Sequence, residues 1–454
     1  MNRINLILKA AAVGLLTLLL LIPLGMINGT ISERAMYRQQ AVESVARSFA
    51  GPQVVAGPVL VVPYEDAREV RTRDAAGIET VAIERTSGQW TYFPRTLAVD
   101  GRVLPDERKR GLHKVRVYEL QAQMRARFDG VAPPVPDDPA VTRTLGIPVL
   151  SLSLADVRGL AGTPKLSVGG RAVELKQGVG DAREEGGVHA TLAPFDLGGR
   201  IAFDSVLDLA LSGTETLAVV PIGDSNDIRL HSKWPHPQFA GSFLPRERQV
   251  RADGFDARWT ITALAAGSQR QYRQKAALHE IERLDLGLVD PVNIYSQADR
   301  ATKYGVLFVA LTFVGFFMFE LIKRLPIHPI QYALVGLALA IFFLLLVSLS
   351  EHIEFVWAYL AASAACIGLL GFYLSAVLRS VARGLGFAAM LTVLYGALYG
   401  LLVSEDNALV LGSVLLFAIL AAIMTLTRRI DWYALGRGEP VPNAVPPPRG
   451  EPAA

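Results

Sequence analysis

Residues 316–332 read FFMFELIKRLPIHPIQY, and the architecture of the chain follows from how that stretch is understood. An apolar run closes on Lys323 and Arg324, LPIHP stops it, and a second apolar run starts at Gln331. Proline breaks a helix, and long basic side chains at a helix end can lay their stems along apolar surface while their charges reach polar headgroups. The stretch therefore reads as the turn between two membrane-crossing helices. Glu320 does not fit this pattern, because it places a carboxylate inside the first apolar run.

A helix needs ~20 predominantly apolar residues to cross the hydrocarbon core of a bilayer. The sequence offers six such runs, at 10–27, 304–322, 331–348, 355–377, 386–403 and 408–427. The fold class expected is mixed: a polytopic α-helical membrane bundle of six spans with a large inserted β-rich, sandwich-like domain. The expected divisions are an N-terminal anchor at 1–30, a β-rich domain at 31–303, a five-helix bundle at 304–430 and a Pro-rich, disordered tail at 431–454.

Orientation follows from the short loops. Arg3, Lys9, Lys323, Arg324, Arg379, Arg383, Arg428 and Arg429 all fall on one side if the N-terminus is cytoplasmic, and the short loops opposite carry acids instead. Both termini are expected in the cytoplasm and residues 28–303 beyond the membrane, in the periplasm if the cell is Gram-negative. The first span reads as an uncleaved anchor, since GMINGTISERA offers no small-x-small cleavage site.

The net charge of +3 and the lack of a long basic run argue against a nucleic-acid partner. Cys366 is the only cysteine, so no disulfide or zinc-thiolate cluster can form within the chain. Between the spans, Leu120, Ala122, Met124, Ala126 and Phe128 alternate with polar residues, the period of a half-buried strand. Similar alternation at 150–154, 203–211 and 257–263, punctuated by Gly, Pro and Asp turns, predicts antiparallel sheets packed as one or two sandwiches.

No nucleophile elbow, phosphate loop or dinucleotide fingerprint is present, and HEIER at His279 lacks the second histidine of a zinc protease. No catalytic residue, metal ligand or cofactor is assigned. PIGDSND at 221–227 reads as a tight turn. In HSKWPHPQFAGSFLP, residues 231–245, His231 and His236 invite a metal reading, but Pro235 and Pro237 end a strand and the aromatics suit a sandwich edge. Trp234, His236 and Phe239 form the candidate contact patch of this domain.

The membrane half supplies a candidate polar cluster of Glu320, Lys323, Arg324, His328, Glu351, His352, Glu354, Glu405 and Asp406. Glu320 stands three and four residues before Lys323 and Arg324, the spacing at which opposite charges meet on a helix face. It either seats the helix or belongs to a working site. The outer acids follow Ser350 and Ser404, where they either cap the next helix or form a cation-collecting mouth. YGALYG, with Gly396 and Gly400 four apart, predicts a close helix-packing face. LLLVSLSEHIEF and GLLVSEDNALV look alike and suggest a weak repeat of helix pairs crossing in the same sense.

Several segments together resemble the CreD family of bacterial inner-membrane proteins. They are the run from FFMFELIKRLPIHPIQY through to SLSEHIEF, LYGALYGLLVSEDNALVLGS, SKWPHPQFAGSFLP and ADRATKYGVLF. The likeness runs from ERAMYRQQ to TRRIDWY, and is weakest at 68–86 and 131–190. It implies an inner-membrane protein of Gram-negative bacteria, linked to envelope integrity and to tolerance of colicins and β-lactams, and produced under a two-component system. It supplies no active site. The leading expectation is a non-enzymatic integrity factor whose partners are the lipid bilayer and an envelope component, with oligomerisation left open. The alternative is a carrier or channel for a lipid-like or amphiphilic solute, and a third reading is a stress sensor.

Overall fold

The computed structural model describes residues 3–73, 79–180, 186–288, 294–323, 327–404 and 408–428. Arg324, Glu405, Asp406 and the tail at 431–454 lie outside the described residues, as does the side chain of Lys323. The chain divides into two compact units, Met1–Met36 with Val292–Ala454, and Tyr37–Pro291. The helices in chain order are α1 (Arg3–Leu19), α2 (Leu21–Ser48), α3 (Ser268–Arg273), α4 (Ile294–Lys323), α5 (Pro329–Ser350), α6 (Phe355–Val377), α7 (Val381–Val403) and α8 (Ala408–Thr427). The boundary between the units falls within α2.

Among the described residues, five helical segments are long and apolar enough to cross a membrane: Ala11–Ser48, which runs past the unit boundary, Tyr295–Met318, Pro329–Ser350, Phe355–Val377 and Val381–Val403. The sixth expected span corresponds to α8, whose apolar segment, Val410–Ala422, is shorter among the described residues. The interruption between α1 and α2 at Leu20 has a local cause. Pro23 has no amide hydrogen to give to Leu19, and its ring crowds that carbonyl. The amides of Leu20 and Leu24 still bond to Leu16 O at 3.0 Å and Leu20 O at 3.2 Å, so the two helices continue as one rod.

Leu20, Leu24, Ile27 and Ile31 of this rod are buried with Phe308, Phe313 and Phe316 of α4, Tyr332 and Phe342 of α5, and Tyr359 and Tyr395 of α6 and α7. Gly336 is what lets the rod approach α5, since a Cβ there would collide with Leu20 and stand 2.8 Å from Phe313. The close-packing face expected at Gly396 and Gly400 is not where α7 packs. A Cβ at either position would meet nothing within 4 Å, whereas one at Gly384 would meet Ser375 and, at 2.9 Å, the Gly371 carbonyl of α6. The buried face of α7 is Phe387, Leu391, Tyr395, Leu398 and Leu402, and both glycines fall on the opposite side.

The second unit contains two mixed sheets. Among the described residues the first has nine strands and is built on Gln53–Arg73, which pairs with Glu79–Tyr92, Val141–Leu145 and Val149–Leu154. The second has eight, and its centre runs through Ser225–Ser232, Thr96–Arg110, His113–Val131 and Arg200–Thr214. The antiparallel expectation holds for most neighbours but not all. Gln53–Val55 runs parallel to Leu217–Val219, and Thr96–Val103 runs parallel to Ser225–Ser232.

Residues of both sheets share one apolar core, including Val59, Leu60 and Leu150 from the first and Leu97, Leu120, Met124, Leu207 and Trp259 from the second. The alternation read at 120–128 is realised with Leu120, Ala122, Met124, Ala126 and Phe128 all buried. Along Val149–Leu154 both faces are covered, so Ser151 and Ser153 are buried too. Ser151 meets that cost by donating its hydroxyl to Val59 O at 3.2 Å.

Candidate functional site: two buried carboxylates of the helix bundle

Glu320 lies one turn from the C-terminal end of α4, where the helix dipole disfavours a negative charge, and it is 6% exposed. A carboxylate so placed needs donors. It has three. Lys9 of α1 forms an ion pair with Oε1, the Tyr332 hydroxyl of α5 donates to Oε2 at 2.8 Å, and the Ile327 amide approaches Oε1 at 3.5 Å. The partner described by the structure is thus Lys9, 311 positions away. Lys323 and Arg324, the partners expected from spacing, have side chains outside the described residues.

Phe316, fully buried one turn before Glu320, packs against Tyr332 with ring centroids 4.6 Å apart and helps fix the phenol. His328 acts within its own turn. Its Nδ1 accepts the Ile330 amide hydrogen at 3.3 Å, while Gln331 Oε1 accepts from the His328 amide at 3.1 Å. This reciprocal cap starts α5, with Pro329 as its first residue.

Glu351 repeats the arrangement at the other end of α5. The expectation that it caps the following helix is corrected, because Glu351 is the C-cap of α5 and again sits at an unfavourable dipole end. Its side chain is 8% exposed, stands 3.7 Å from Arg34 Nε of α2, and accepts from the Tyr295 hydroxyl of α4 at 3.2 Å. Ser350 donates back to Val347 O, and Glu354, the N-cap of α6, makes no side-chain cap bond. Exposed His352 bonds through Nδ1 to Ser348 O at 3.1 Å.

The two clusters have the same composition: an acid at a helix C-terminus, a cation from the α1–α2 rod and a tyrosine from a third element. Lys9 and Arg34 are 25 positions apart, as are Tyr295 and Glu320. At 1.5 Å per residue that is about 37 Å, somewhat more than the ~30 Å hydrocarbon core. The rod and α4 are therefore pinned antiparallel at both ends. Sequence reasoning singled out the two acids but missed Lys9, Arg34, Tyr295 and Tyr332 as their partners. The one available signal was that each acid sits at the wrong end of a helix dipole and needs a donor from elsewhere.

In the second unit, the candidate patch is held by its own fold. Trp234 Nε1 donates to His236 O at 2.9 Å, and the Arg116 guanidinium lies 4.2 Å from the Trp234 ring centre. Phe239 packs edge-on against buried Phe255 and Trp259, each at 5.7 Å. His231 Nδ1 faces Asp100 at 3.9 Å. Among the described residues no three His, Cys, Asp or Glu side chains stand close enough to hold a metal ion. The turn read at 221–227 is closed by buried Asn226, which bonds both the amide and the carbonyl of Gly223.

The profile of the family described as inner membrane protein CreD matches residues 5–433. The chain belongs to the CreD family. It is 37% identical over 419 residues to the inner membrane protein CreD of Escherichia coli (strain K12), covering 92% of this chain and 91% of that one. Membership of this family and several membrane-length helices make it a multi-pass inner-membrane protein. Solved structures give only faint likenesses. An M1 zinc metallopeptidase from Deinococcus radiodurans is 10% identical with a TM-score of 0.20, over 79% of this chain and 96% of that one. A two-domain M1 zinc metallopeptidase mutant bound to L-arginine reaches 0.21, over 43% and 42%. At such scores neither likeness carries an argument about fold or chemistry.

Proposed function

We propose that the chain is a non-enzymatic factor that maintains the integrity of the cell envelope, with its β-rich unit in the periplasm contacting an envelope component. In this reading both termini are cytoplasmic, α8 supplies the sixth span and the helices form a fixed anchor. The observation that carries it is the state of the two buried acids. Glu320 and Glu351 are each engaged by a cation and a tyrosine of the same chain. A carboxylate held in this way ties helices together. A carrier, in contrast, needs an acid that exchanges partners during its cycle.

The test is leakage of a normally excluded dye from cells lacking the chain, complemented with Glu320→Gln or with the exchanged pair Lys9→Glu/Glu320→Lys. The proposal expects Glu320→Gln to lower protein abundance, with barrier loss in proportion, and the exchanged pair to recover both. Normal abundance of Glu320→Gln together with complete loss of the barrier would replace the anchor with the carrier reading.

A further inference from the structure

The strand Glu79–Tyr92 pairs with Gln53–Arg73 of the first sheet, in a ladder running from Leu60 opposite Tyr92 to Arg73 opposite Glu79, and past Arg68 the two continue as a two-stranded ribbon. Among the described residues its other edge pairs with nothing. That leaves the outward-pointing backbone donors and acceptors of alternate residues along Glu79–Tyr92 open. Val81 is 54% exposed and Ile83 61%, on the ribbon face that also carries Arg85. A long open edge with apolar β-branched residues is a template for another strand, and folded proteins normally blunt or cover one.

We propose that the Glu79–Arg85 part of this edge is covered by the same segment of a second copy, paired antiparallel about Ala82. A two-fold axis normal to the ribbon keeps each residue on its own face, so only registers that oppose residues of equal parity are allowed. Centring on Ala82 sets Val81 against the partner's Ile83 and Arg85 against the partner's Glu79, with Thr80 facing the partner's Glu84. These are the apolar and opposite-charge pairs that stabilise antiparallel strands. Neighbouring centres lose them: Val81 would oppose Glu79 to Ile83, Ile83 would oppose Val81 to Arg85, and Glu84 would face itself. Within the chain Arg85 already donates to Glu65 at 2.7 Å, which holds the guanidinium on this face. The result joins the two ribbons edge to edge, with Val81 and Ile83 at the centre and residues of opposite charge in register at each flank.

The experiment is cysteine crosslinking of the full chain in membranes under mild oxidant. The native chain is the blank, because its one cysteine, Cys366, is buried. Opposed Cα atoms in an antiparallel pair lie about 4.5–5.5 Å apart, within reach of a disulfide. Ala82→Cys should therefore crosslink two copies. Glu84→Cys, displaced four residues from its own copy or about 14 Å, should not. Adding Arg85→Glu to Ala82→Cys should cut the crosslinked fraction at least tenfold, and adding Glu79→Arg as well should restore it. Absence of the Ala82→Cys crosslink with protein present, equal crosslinking at both positions, or indifference to Arg85→Glu would each overturn the proposal.

Discussion

At the scale of the residue, the pairing of Glu320 makes the clearest demand. Removing one member of a buried ion pair leaves an uncompensated charge, at a cost of about 3–5 kcal/mol. Lys9→Ala should therefore destabilise the bundle about as much as Glu320→Ala, although the two residues are remote in sequence. Thermal unfolding in detergent would check it, and a near-neutral Lys9→Ala would show that the ion pair does not hold the rod. Tyr332→Phe removes only the hydroxyl that donates to Glu320 and should cost about 1.5–3 kcal/mol, as for a hydrogen bond to a charged group. Glu320 was conspicuous in the sequence because a charge in an apolar run always is. Its partner was not legible, since nothing local links residue 320 to residue 9.

At the scale of the element, the two kinds of glycine separate packing from composition. Gly336 receives Leu20 of the first rod, so Gly336→Val should force the helices apart and cost about 1–3 kcal/mol. Gly396→Ala meets open space and should be neutral or slightly stabilising, because alanine favours a helix by up to about 1 kcal/mol over glycine. Unfolding midpoints of the two variants, compared in the same detergent, would decide; equal losses would mean that Gly396 is covered after all. Four-residue spacing identified small residues on one helix face but did not say which face meets a neighbour. The strands were easier to read. Alternation at 120–128 follows from one buried face, whereas the parallel pairing of Thr96–Val103 with Ser225–Ser232 depends on how a long connection returns and leaves no local pattern. Val149–Leu154 is buried on both faces, yet Ser151 and Ser153 made it look half exposed.

At the scale of the whole molecule, the two units rest on separate apolar cores and answer differently to solvent conditions. In Tyr37–Pro291 several carboxylates are held below their ordinary pKa of 3.8 by hydrogen bonds from arginine: Asp66 from Arg143, Asp156 from Arg158 and the Gly51 amide, and Asp227 from Arg258. Because the folded form holds these groups deprotonated more tightly than the unfolded chain does, their contribution is fully present above the unfolded value. It is lost as pH falls through that value towards the depressed one. Trp90, Trp234 and Trp259 lie in this unit, Trp259 fully buried with its indole hydrogen donated to Phe243 O at 3.1 Å, so in a chain carrying Trp357→Phe and Trp432→Phe tryptophan fluorescence reports this unit alone. The unfolding midpoint followed by this emission should be insensitive to these groups between pH 7 and 5 and fall below about pH 4. Asp156→Asn should lower the midpoint at pH 7 and make the acid decline shallower, because the amide cannot lose a charge on acidification and pairs poorly with Arg158. A decline of unchanged steepness in that variant would remove Asp156 from the acid response and leave it to Asp66 and Asp227.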